Sequence, residues 1–88
     1  METRAALVKE WIIDKAQETA MNYNTFIDYE RNEAGTRQLY NGSLKVLVDE
    51  IISETEKAVQ VRVSTGAVLG SCKGWKLWVP KSCISFVD

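Results

Sequence analysis

The sequence predicts an α+β domain in which an N-terminal helix, or a pair of helices, packs on a three-stranded antiparallel β-sheet with meander order. Three observations carry that expectation. Ala5, Val8, Ile12, Ala16 and Ala20 recur at the spacing of one helix face. Val59, Val61 and Val63 alternate with Gln60, Arg62 and Ser64, the two-residue period of a half-buried strand. Trp75, Leu77 and Val79 repeat that alternation against Lys76 and Trp78. Eighty-eight residues suit a single domain, 1–88, with a helical part over 1–40 and a β part over 44–88.

The first helix starts at a capping Thr3, is widened by Leu7 and Trp11, and turns Lys9, Glu10, Lys15 and Gln17 to water. Asn22 and Asn24 interrupt it. Tyr23, Phe26, Ile27 and Glu30 continue a helical stripe, which predicts a second helix near 25–34 that Gly35 weakens or ends. "NGS" at 41–43 is an Asn-Gly turn. "SLKVLVDEIISET" supports two readings: Leu44, Leu47, Val48, Ile51 and Ile52 sit at helical spacing, yet the run of branched residues suits a strand. Pro80 ends the last clear strand or marks a sheet edge. The expected core is Val8, Ile12, Phe26, Val59, Val61, Val63, Leu77, Val79 and Ile84.

Composition excludes several function classes. There is no run of about 18 apolar residues, so no membrane span is expected. Lys9, Glu10, Asp14 and Lys15 break up any signal-peptide core, which points to the cytoplasm and to reduced Cys72 and Cys83. Two cysteines and no histidine fall short of a tetrahedral zinc site, and neither metal nor cofactor is expected. The lack of histidine also removes the Ser–His and Cys–His nucleophile arrangements. Glu54 and Glu56 read as a solvated turn rather than an acid–base pair, and "TGAVLGS" lacks the lysine of a phosphate loop. The chain therefore reads as a non-enzyme.

A net charge of −1 hides an asymmetry. Residues 1–56 hold eleven of the twelve acids, whereas 57–87 hold none beside five bases, Lys57, Arg62, Lys73, Lys76 and Lys81. "ETEKA" (Glu54, Thr55, Glu56, Lys57, Ala58) and "WVPKS" (Trp78, Val79, Pro80, Lys81, Ser82) resemble segments of small proteins from phages and mobile elements of Gram-positive bacteria. The resemblance covers about half of the chain. It implies a strand before "ETEKA", a bacterial host cytoplasm, and no particular chemistry.

Three functional readings follow. The first is a non-enzymatic inhibitor of a host defence protein, acting by occlusion through an acidic surface of Glu10, Asp14, Glu18, Asp28, Glu30 and Glu33 that mimics a phosphate backbone. The second is a sequence-tolerant nucleic-acid binder, with Trp78 stacking on bases and Arg62, Lys73, Lys76 and Lys81 meeting phosphates. The third is a subunit that self-associates, as in a homodimer, by pairing its acidic and basic halves. Against the second stands a plain structural role, with Trp75 in the core and Trp78 under the N-terminal helix.

Overall fold

The computed structural model describes residues 3–67 and 74–87, so Cys72 and Lys73 lie outside the described residues. The chain runs through β1 (Arg4–Lys9), α1 (Glu10–Ala20), a 3-10 turn (Met21–Tyr23), β2 (Thr25–Ile27), β3 (Leu39–Tyr40) and β4 (Ser43–Glu54). It continues through β5 (Ala58–Val63), β6 (Thr65–Ala67), β7 (Trp75–Pro80), a 3-10 turn (Lys81–Cys83) and β8 (Ile84–Val87). The protein is mostly β with one short helix, which corrects the expectation of helices on a three-stranded sheet. The main sheet has the order β7-β5-β4-β1-β8, with β3 beside the start of β4, and all its pairings are antiparallel. β2 and β6 form a separate two-stranded ribbon.

The N-terminal stripe misleads because it crosses a junction. Ala6 and Val8 are fully buried and alternate with more exposed neighbours, so a two-residue period governs residues 4–9. β1 is paired on both sides, with β4 and with β8, which satisfies its backbone groups without a helix. Helix begins only at Glu10, and Ile12 and Ile13 then dock into the core. The spacing from Ala5 through Val8 to Ile12 spans two elements.

No helix forms over 25–34. The chain leaves α1 through Asn24 in the left-handed region (φ 53°) and enters β2. Thr25 and Ile27 point inward there, and Phe26, expected in the core, is turned out and 42% exposed. The side-chain amide of Gln17 acts as a short partner for β2: it donates to the Thr25 carbonyl (2.9 Å) and accepts from the Ile27 N–H (2.8 Å). Gln17→Leu would leave both backbone groups unpaired beside buried side chains. A loss of about 1–3 kcal/mol is expected in urea unfolding.

Segment 44–53 is strand. Leu44, Val46 and Val48 face the core, and a two-residue turn at Asn41 (φ 53°) and Gly42 (φ 80°) sets the register between Tyr40 and Ser43. β4 is long enough to serve two partners: its first half pairs with β1 and its second half with β5. Register shifts between Val48 and Glu50 and between Ile51 and Ser53 bend it between them. The sheet curls as a result, and Ile84 and Phe86 of β8 share a cleft with Ile51 and Val59.

Val8, Ile12, Val59, Val61, Val63, Leu77 and Val79 are buried, joined by Ala6, Ile13, Ile27, Leu44, Val46 and Val48. Ile84 is half-buried and packs against them. No helix among the described residues is long and apolar enough to cross a membrane.

β7 is entered through Gly74 at φ 89°, where a β-carbon would stand 2.6 Å from Arg62 Cγ. Gly74→Ala therefore meets both backbone strain and a clash with the stem of a strand residue. We expect it to cost about 2 kcal/mol, read from a lowered urea midpoint.

Candidate functional site

Among the described residues, β7 lies at one end of the main sheet and pairs with β5 alone. Its alternation turns Leu77 and Val79 into the core and Lys76, Trp78 and Pro80 outward, with Trp75 half-buried at its start. α1 runs beside it, held by Ile12 and Ile13, and presents Trp11 and Lys15, one helical turn apart, toward the strand. Between the two elements lies a groove of about 430 Å³. All three tryptophans of the chain line it. Trp11 is 59% and Trp78 48% exposed, and the Trp75 ring meets Tyr23 at 5.7 Å between centroids in a tilted contact. Trp78 is thus not covered by the helix.

The groove is electropositive. Among the described residues, Lys15 and Lys76 line it, no acidic side chain does, and neither lysine has an ion pair. Lys76 stands opposite Arg62 across the β5–β7 ladder, and Arg62 is in turn bonded to Glu50 of β4. Glu50 is thereby engaged by Arg62, and Lys76 faces a like charge.

The expected site residues are distributed differently from either charged surface. Arg37 binds Glu10 (2.7 Å) and Asp14 (2.8 Å) together, and these bonds hold its proton well above the ordinary arginine range. Arg37 also bonds the Tyr29 hydroxyl, so it ties the 29–37 segment to the start of α1. Glu30 pairs with Lys45 and accepts the Tyr40 hydroxyl, which raises the phenol's pKa. Asp28 and Glu30 line one cleft with Lys45, whereas Glu18 and Glu33 are exposed elsewhere. In the basic set, Arg62 and Lys81 are paired with Glu50 and Glu54, and Lys73 lies outside the described residues. Lys76 and Trp78 remain, and both belong to the groove.

The sequence reading has Trp11 widen the apolar stripe of the first helix. The signal that marks it otherwise is phase. Once the helix starts at Glu10, Trp11 falls with Lys15, just as Trp78 falls with Lys76 on β7. Two tryptophans that keep step with lysines rather than with the buried residues indicate a surface use. Cys83 is a half-buried thiol with no disulfide among the described residues. No set of three metal-ligating side chains gathers among those residues either. Comparisons with family models, curated proteins and solved structures find no match.

Proposed function

We propose that this chain is a non-catalytic interaction domain that binds a protein partner through the tryptophan groove between α1 and β7. The carrying observation is the convergence of all three tryptophans on one groove, two of them about half exposed or more. An exposed tryptophan is costly to leave in water and typical of the few residues that dominate protein–protein affinity. Among the described residues lining the groove, only the two exposed lysines carry charge, which supports contact chemistry rather than acid–base chemistry. The resemblance to small phage proteins points to a bacterial host protein, such as a defence protein, as the partner, and to occlusion as the mode of action.

The groove is better supported than the acidic face, because Glu10, Asp14 and Glu30 are already engaged by Arg37 and Lys45. It is also better read as a protein site than as a nucleic-acid site. A backbone-tracking surface needs a row of free cations, and Arg62 and Lys81 are held by carboxylates of the same sheet.

The test is to pan a random dodecapeptide library on the immobilised chain and to titrate the same chain into a fluorescent oligothymidine at low salt. Peptides that enrich and quench the tryptophan emission are expected, with no saturable oligonucleotide binding. Saturable binding to the oligonucleotide that weakens steeply with salt would make the groove a nucleic-acid site instead. Failure of both probes would remove the groove as a binding surface.

A further inference from the structure

A groove lined by consecutive residues of one strand is open to that strand's edge. Trp75 and Leu77 point to one side of β7 and Lys76, Trp78 and Pro80 to the other, yet all five line the groove between β7 and α1. The surface that reaches both sides is the rim of the strand facing away from β5. β7 pairs with β5 alone, so the backbone N–H and C=O groups on this rim have no strand partner among the described residues. Such an edge is a template for a further strand unless a protein covers or charges it. Here α1 forms a wall beyond it, and the space between stays open.

Resting on the groove reading above, we infer that the occupant is an extended acidic segment of the partner, which adds to the outer edge of β7 as a seventh strand of the curled sheet. Strand addition draws affinity from main-chain hydrogen bonds and specificity from alternate side chains. The six residues of β7 set the length, and Pro80, which has no N–H to donate, ends the ladder. Side chains on one side of the added strand meet Trp78 and Lys76, and those on the other meet Trp75; Trp11 and Lys15 close the groove from the helix. Charge selects the sequence. Lys15 and Lys76 stand on opposite walls without acidic partners among the described residues, and Lys76 faces Arg62 across the ladder. A carboxylate on the incoming segment gives Lys15 and Lys76 an opposite charge, whereas a basic segment adds a like one.

The experiment uses the dodecapeptides enriched on the full chain, each then made synthetically and titrated by tryptophan fluorescence. Expected are Asp or Glu within an alternating apolar pattern, and binding weakened about tenfold by Lys15→Glu combined with Lys76→Glu. A strand bonds its neighbour through alternate residues only. Methylating one alternate set of the peptide's amide nitrogens should therefore weaken binding at least about tenfold, and methylating the other set should leave it nearly unchanged. The chain carrying Trp11→Ala and Trp78→Ala separates the two levels of the claim. Peptides that need both tryptophans but show no acidic preference, or tolerate both methylation patterns equally, overturn strand addition and leave the groove reading standing. Peptides that bind the double variant as well as the parent overturn both.

Discussion

Replacing Trp11 and Trp78 together by alanine is expected to abolish partner binding while leaving the protein folded. Each side chain is about half in water or more and lies at the surface, so its removal opens no enclosed cavity, and unfolding free energy should change by less than about 1 kcal/mol per residue. Binding responds differently. Truncating a tryptophan at the centre of an interface typically costs about 2–4 kcal/mol, a loss of roughly 30-fold or more for each residue. The expected result is a far-UV spectrum and urea midpoint near those of the parent, with peptide affinity beyond measurement. A covering role for the helix over Trp78 makes the opposite demand: Trp78→Ala alone would then destabilise by about 3–5 kcal/mol, most of the stability of a domain this size.

Ile13→Ala is expected to produce the largest loss of stability among changes on α1. Ile13 is 1% exposed and, with Ile12, joins the helix to the sheet core. Neighbouring Val and Leu side chains of the sheet do not collapse easily into the space left, so a cost of about 3–4 kcal/mol is expected. An 11-residue helix has little stability of its own and depends on this packing. Loosening it also removes the wall that carries Trp11 and Lys15. Peptide affinity should fall together with the urea midpoint for Ile13→Ala, in contrast to the tryptophan pair, where only affinity falls. A variant that lost stability but kept full affinity would show that the helix wall is not part of the site.

The contrast between these two variants shows where sequence and structure part company. β5 and β7 are legible because a strand with one buried face writes its period into four or five residues, and Val59, Val61, Val63, Leu77 and Val79 do so. β1 reads as helix because Ala5 and Val8 fall in step with Ile12, Ala16 and Ala20, while the sheet partners of Val8 that overrule this spacing, Leu44 and Ile84, lie 36 and 76 positions away. β4 has both periods because it bends: its two register shifts move side chains out of strict alternation. Phe26 shows the same limit, since only the pairing of β2 with β6 and Gln17 determines which of its neighbours is buried.

Charge was the least legible feature. Counting bases and acids along the chain suggested two opposed surfaces, but the carboxylates and cations that neutralise one another are far apart in sequence. Arg37 reaches back to Glu10, and Lys81 reaches back to Glu54, each across 27 positions. What the pairing leaves over, Lys15 and Lys76 beside three tryptophans, is a smaller site than either surface and a more specific one. Half of it was visible in "GWKLWVP"; the other half depends on α1 folding back beside β7.

The most direct measurement is of the three tryptophan indole N–H signals in an ¹⁵N-labelled sample, followed while an enriched peptide is added. Three tryptophans give three assignable signals. The Trp11 and Trp78 signals are expected to shift progressively and saturate together, with backbone shifts concentrated along Trp75–Val79. If the indoles stay fixed while signals from Asp14, Glu18, Asp28 and Glu33 move, the partner sits on the acidic side, and the groove is not the site.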